Sequence, residues 1–130
     1  MLKRLLVISI LWIILLPTAA HAQEIPILVP EVLNTYPHDN NAFTQGLLWF
    51  DGDLYESTGR RGQSSLRRVN IETGEPIENI PVSEEYFAEG LEKVDDKLIQ
   101  LTWQSGEAFV YDFATMEQID TINYDGEGWG

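Results

Sequence analysis

A short phrase recurs in this chain at a spacing near forty residues. Ala42-Phe43-Thr44-Gln45-Gly46-Leu47 returns as Tyr86-Phe87-Ala88-Glu89-Gly90-Leu91, and Gly126-Glu127-Gly128-Trp129 echoes both. Each copy sets Gln or Glu, then Gly, then a large apolar residue at the head of a strand-like run. Gln45, Glu89 and Glu127 are 44 and 38 residues apart, the period of one four-stranded propeller blade. The first strand of each propeller blade lines the central axis, so these three polar side chains are expected to converge there. The pattern predicts an all-β chain, the amino-terminal fragment of a β-propeller with about two blades and the start of a third. Closure takes at least about four blades, so further repeats are expected after Gly130.

Turn chemistry divides the repeats into strands. Blade 1, about residues 43–82, reads as Phe43 to Phe50, Asp53 to Thr58, Ser64 to Ile71 and Pro76 to Val82. Asp51-Gly52, Gly59 to Gly62 and Glu72 to Glu75 separate these runs, each rich in turn formers. Blade 2, about 87–123, reads as Phe87 to Val94, Lys97 to Trp103, Glu107 to Tyr111 and Glu117 to Asn123. Blade 3 is expected to begin near 125. Residues 23–34 form a lead-in whose Glu31 to Tyr36 run alternates well enough for a strand, one that could latch a closed ring. The incomplete propeller domain takes 35–130. No helical period persists beyond the first segment.

That first segment, residues 1–22, has the form of an export signal. Lys3 and Arg4 precede the apolar run Leu5 to Leu16, and Ala20-His21-Ala22 is a small-x-small cleavage site. The run is shorter than the roughly 20 residues of a spanning helix, so the chain is expected to be exported, periplasmic or secreted, without stable membrane association after cleavage. Cleavage would expose Gln23 as the new amino terminus. The formal charge is −13, and losing Lys3 and Arg4 makes it more negative still. Such a surface repels the phosphates of nucleic acid and anionic lipid. With no cysteine, thiolate nucleophiles, thiolate metal sites and disulfides are all excluded.

Among polar residues, Glu89 is the acid/base candidate. The plainer alternative is a solvated strand carboxylate, the usual fate of Glu. In favour of chemistry, Phe87 and Leu91 share its strand parity. Walls of Phe43, Phe87, Trp103 and Trp129 would desolvate the carboxyl and raise its pKa, which suits proton transfer near neutrality. Gln45 cannot transfer protons but can orient a polar substrate; a buried amide bonded to backbone is the equal alternative. Trp103 and Trp129 fit either core or pocket, and Trp49 is expected to pack between blades.

His38-Asp39 invites a metal or triad reading. The only other histidine, His21, is lost with the signal, so no zinc cluster forms. Ser57, Ser64 and Ser65 have no evident base. Arg60, Arg61, Arg67 and Arg68 read as surface charges paired with Asp and Glu.

Taken together, Tyr36-Pro37-His38-Asp39, Phe43-Thr44-Gln45-Gly46-Leu47 and Leu54-Tyr55-Glu56-Ser57-Thr58-Gly59 form an ordered set. Gly62 to Arg67, Tyr86 to Leu91, Gln100-Leu101-Thr102-Trp103 and Tyr124 to Gly130 extend it. The set resembles the plant and bacterial glutaminyl-peptide cyclotransferases from about residue 35 onward. That resemblance implies a five-bladed propeller, monomeric when full length, that cyclises the amino-terminal Gln of peptides or proteins to pyroglutamate and releases ammonia. It implies Glu89 as the essential glutamate, and Phe43, Gln45, Phe87, Trp103 and Trp129 as substrate-binding residues, with no metal or cofactor. The family's amide, lysine and further tryptophan come from later blades, outside this chain. Two other readings remain open: an exported propeller that binds peptide or sugar at its aromatic mouth without chemistry, and a sugar-lactone hydrolase whose axial metal draws on Glu89, Gln45 and Glu127.

Overall fold

The computed structural model describes residues 25–130. The signal reading of 1–22 and the proposed new terminus at Gln23 lie outside the described residues. The chain divides into two units, Met1–Val32 and Leu33–Gly130. In the first, the described residues 25–32 carry no regular element and are exposed.

All eight strands belong to the second unit. They are β1 (Thr44–Phe50), β2 (Asp53–Thr58), β3 (Ser65–Val69), β4 (Pro76–Pro81), β5 (Ala88–Val94), β6 (Lys97–Thr102), β7 (Glu107–Asp112) and β8 (Gln118–Asn123). They form two antiparallel four-stranded sheets in simple order, β1-β2-β3-β4 and β5-β6-β7-β8. Local chemistry sets the turns. Asp51 and Gly52 both take positive φ, 50° and 87°, the pairing that lets a two-residue hairpin follow the strand twist. Gly74 in the β3–β4 turn has φ 73°, and a Cβ there would strike the backbone of Pro37, so this turn packs directly on the loop that leads into β1.

The expected strand from Glu31 to Tyr36 does not form, for that stretch pairs with neither sheet. Alternation alone does not make a strand; its backbone needs a partner edge. Residues 124–130 carry no regular element, bending at Asp125-Gly126, so the expected start of a third inner strand does not form there.

The core lies between the two sheets. Tyr55 and Leu66 come from the first sheet, Leu98, Phe109 and Tyr111 from the second, and Met116 from the β7–β8 turn. Leu48, Ile80, Tyr86, Leu91 and Phe113 close its margins. A polar bridge runs through this apolar layer. Gln100, fully buried, donates from Nε2 to Ser57 Oγ (2.8 Å) and to the Ser65 carbonyl (3.2 Å), and its Oε1 accepts from the Tyr111 hydroxyl (2.9 Å). Burial pushes the Tyr111 phenol well above its ordinary pKa, so it stays a donor.

Leu66→Ala is expected to cost about 2–5 kcal/mol through lost burial and the cavity left behind. Gln100→Leu keeps the volume yet leaves its former partners unpaired, at about 1–3 kcal/mol for each buried polar group. Urea denaturation checks both. An unchanged midpoint for Gln100→Leu would show that the polar bridge does not hold the sheets together.

Candidate active site

The two inner strands, β1 and β5, approach closely because the repeat supplies glycine where they meet. A Cβ on Gly46 would lie 2.6 Å from the Leu91 backbone nitrogen and 2.8 Å from its Cβ, contacts no real side chain makes. Gly90 stands likewise against Trp129 and Gly130, where a Cβ would be 3.0 Å from the Trp129 carbonyl and from the Gly130 Cα. Three chain segments therefore meet backbone to backbone at one point.

Both polar residues of the repeat sit in β-bulges. In β1 the register passes from Thr44↔Thr58 to Gly46↔Ser57, leaving Gln45 as the extra residue. In β5 it passes from Ala88↔Thr102 to Leu91↔Gln100, so Glu89 and Gly90 face the single residue Leu101. A bulge breaks strict alternation and re-aims a side chain. It also corrects the parity expected from sequence. Leu91 falls on the face of Ala88, not of Glu89, and packs against the core. The approach to the second bulge is pinned by Ser64, whose hydroxyl, 2% exposed, accepts the Ala88 N–H at 3.1 Å. That hydroxyl's own proton points to the Arg60 carbonyl (2.9 Å) or the Tyr86 carbonyl (3.2 Å).

Glu89 is 5% exposed. Burial pushes its carboxyl above the ordinary range, and the Gly130 N–H, donating to it, pulls partly back. Alongside runs a continuous row of aromatic rings. Phe43 meets Phe87 edge-on at 6.1 Å, Phe87 meets Trp103 at 5.6 Å, and Trp103 meets Trp129 at 6.2 Å. The Arg60 guanidinium caps the row, 4.7 Å above Phe43, a cation–π contact. Gln45 and the Phe87 ring both pack on Gly59, where an added Cβ would clash with the ring and lie 3.0 Å from Gln45 Cγ. Trp103 Nε1 is buried and without an acceptor. A cleft of about 460 Å³ is lined by Gln45, Gly46, Gly90, Leu91, Trp129 and Gly130, among others. Glu89 is not on its wall. The cleft and the aromatic row share Trp129, and Gln45 on the cleft wall packs beside Phe87 at Gly59.

The structure thus brings Phe43, Gln45, Phe87, Trp103 and Trp129 into one neighbourhood with Glu89. It does not bring Glu127, which is exposed. The third copy of the repeat is offset by two residues, with Trp129-Gly130 taking the place of Gln45-Gly46 and Glu89-Gly90. Gly128 serves another purpose. Its φ is 69°, and a Cβ there would collide with the Tyr124 hydroxyl and the Thr102 carbonyl. Trp49, expected between blades, stands 55% exposed.

Of the four arginines among the described residues, Arg68 lies by Asp53 and Glu78, while Arg67 pairs with Asp39 at 2.9 Å. Arg61 donates to the Glu85 carbonyl. Among the described residues no three His, Asp or Glu side chains form a metal-binding group. The buried Glu56, with His38 and Thr44 around it, escaped sequence reasoning. The only signal for it was a charged residue in the otherwise apolar-and-small run Leu54 to Gly59.

Comparison with known proteins places the chain in a family. The family model for glutamine cyclotransferase matches residues 5–130. The chain belongs to the glutamine cyclotransferase family. It is 38% identical over 102 residues to the glutaminyl-peptide cyclotransferase of Arabidopsis thaliana, covering 77% of this chain and 32% of that one. It is similar in structure to the glutaminyl cyclase of Myxococcus xanthus, with TM-score 0.66 and 38% identity over 77% of this chain and 42% of the solved one. The chain therefore spans about a third of the length of its curated relative, and within this family its two sheets are propeller blades.

The raised pKa of Glu89 has a consequence for stability. Between the ordinary value of 4.5 and its higher folded value, the folded state holds more protons than the unfolded one, so stability falls as pH rises. That loss ends only once the pH has passed the folded value. Glu89→Gln, which retains an acceptor for the Gly130 N–H, is expected to raise the thermal midpoint at neutral pH. The gain should vanish below the ordinary carboxylate value. A midpoint that drops equally at both pH values would contradict the assigned desolvation.

Proposed function

We propose that this chain supplies the catalytic acid/base and the aromatic pocket wall of an exported glutaminyl-peptide cyclotransferase acting on peptides or proteins with amino-terminal Gln. The observation that carries this reading is the position of Glu89: a buried carboxyl with a raised pKa, in a bulge beside a row of aromatic rings. Membership of the family supports it.

The chemistry is an intramolecular acyl transfer. The substrate's α-amine attacks its own γ-carbonyl carbon, a five-membered lactam forms, the C–N bond of the carboxamide breaks, and ammonia leaves. Both reacting groups belong to one residue, so the protein has mainly to select the folded rotamer of the Gln side chain. Phe43, Phe87, Trp103 and Trp129 provide walls for that. The attacking amine must be neutral, and its ordinary pKa of about 8 permits this near neutrality.

Amide ion is too basic to depart, so the leaving nitrogen must gain a proton. Glu89 accepts the proton shed by the attacking amine and returns it to the departing nitrogen, ending in its starting state. Such a relay contributes roughly 10²–10⁴-fold. Gln45, on the cleft wall, orients the carboxamide or the amine.

In the protein expressed from its complete reading frame, Glu89→Gln is expected to abolish ammonia release from Gln-peptides with the circular dichroism spectrum unchanged. Normal turnover by the variant would remove Glu89 from the mechanism. A wild type that retains Gln-peptides on a column but releases no ammonia would instead make the protein a binding module.

Export rests on the charged, apolar and small-residue pattern of residues 1–22. Cleavage after Ala22 is expected to leave Gln23 at the new terminus, itself open to cyclisation. Intact mass spectrometry of the exported protein should show signal loss together with loss of one ammonia; a free Gln23 would count against that modification.

A further inference from the structure

We infer that Thr44 and Glu56 form a positioning pair for Gln45, holding the β1 bulge so that the amide stays aimed into the pocket. The inference rests on the reading of Gln45 as a substrate-orienting group. Thr44 is the last regularly paired residue before the bulge, and Gln45 follows it directly. The Thr44 hydroxyl donates to Glu56 Oε1 at 2.5 Å, fixing the strand at the point where its register shifts. Rotation of Thr44 would carry the peptide plane that sets the direction of Gln45.

Glu56 is itself immobilised. It is 1% exposed, on the sheet face away from the second sheet, beneath the loop that precedes β1. His38 Nε2 lies 2.9 Å from the same Oε1 and 3.3 Å from the Thr44 hydroxyl. The Arg67 guanidinium lies 4.0 Å from Oε2 and is held in turn by Asp39 (2.9 Å) and by Ser65 Oγ (2.9 Å). Asp39 also accepts the Asn41 N–H, which closes the loop over the cluster. A carboxylate buried at this depth needs partners on every side, and here one of them is the anchor of the bulge.

The equivalent positions of the second sheet, 44 residues on, are Ala88 and Gln100. They make no such bond. There the anchor of the bulge is Ser64, which directly precedes β3. The link from Thr44 to Glu56 thus belongs to the blade whose bulge presents an amide, and both residues lie outside the aromatic row and the cleft.

A double-mutant cycle on ammonia release from Gln-peptides tests this in the protein expressed from its complete reading frame. Thr44→Val removes the hydroxyl and keeps the shape; it is expected to lower kcat/KM about tenfold, as Gln45→Ala does. Thr44→Ser, and Glu56→Gln with its retained acceptor, should keep most activity. The combined Thr44→Val and Gln45→Ala variant should be no worse than Gln45→Ala alone, because Thr44 acts through Gln45.

A merely structural role would instead multiply the two losses, and that result overturns the inference, as does unchanged kcat/KM in Thr44→Val. A folded wild type without turnover defeats the proposed function and this inference with it. A wild type that turns over but shows multiplied losses defeats the inference alone.

Discussion

The close approach of β1 and β5 at Gly46 is the constraint from which the site follows. Neighbouring inner strands can converge only if the residue at the contact has no side chain, since Gly46 already meets the Leu91 backbone. The same requirement recurs at Gly90 against Trp129 and Gly130. This explains the glycine that follows Gln45 and Glu89, with a large apolar residue after it. The glycine sets the distance, and the apolar residue that follows returns to a sheet face. A Gly46→Ala change would force the strands apart at the very residues that carry Gln45 and Glu89.

Between those contacts, the bulges convert a packing motif into a site. In a regular strand Glu89 and Leu91 would share one face, and a carboxylate would then point wherever the core-packing leucine points. The extra residue in β5 separates the two, so Leu91 packs inward while Glu89 is buried at the inner edge with the Gly130 N–H as its donor. One donor against near-complete burial leaves the net shift upward. That balance would suit the proton relay proposed for Glu89, since a carboxylate ringed by several donors would be too weak a base.

Much of the fold was legible in the sequence because the signals are local. Asp51-Gly52 is a turn by its own dihedral preferences, and the strand alternation from Asp53 to Thr58 needs no knowledge of partners. What was not legible depends on pairing. The bulges at Gln45 and Glu89 exist only relative to β2 and β6. The third repeat could be aligned on Glu127 or two residues later with equal support from spacing, and only the contact of Gly130 with Gly90 decides it. Glu56 looked like an ordinary strand carboxylate because His38 and Arg67 lie 18 and 11 residues away in sequence. Likewise the expected strand from Glu31 to Tyr36 had alternation but no edge to join.

Comparing the two sheets position by position shows how one scaffold accommodates different polar groups. Thr44, Glu56 and Arg67 of the first sheet correspond to Ala88, Gln100 and Phe109 of the second. In the first sheet this face is covered by the loop that carries His38 and Asp39, so a charged set finds both counter-charges and a margin of solvent. In the second sheet the same face is covered by the first sheet, from which Gln100 meets a serine hydroxyl and a backbone carbonyl, while Tyr111 of its own sheet offers a hydroxyl. A carboxylate there would face no cation and would bear against the Ser65 carbonyl at a cost of several kcal/mol. An amide can donate to the carbonyl and accept from the phenol at once. The neutral residue at 100 also keeps a second negative charge out of the strand that pairs with the Glu89 bulge, so the raised pKa of Glu89 arises from burial and not from a neighbouring carboxylate.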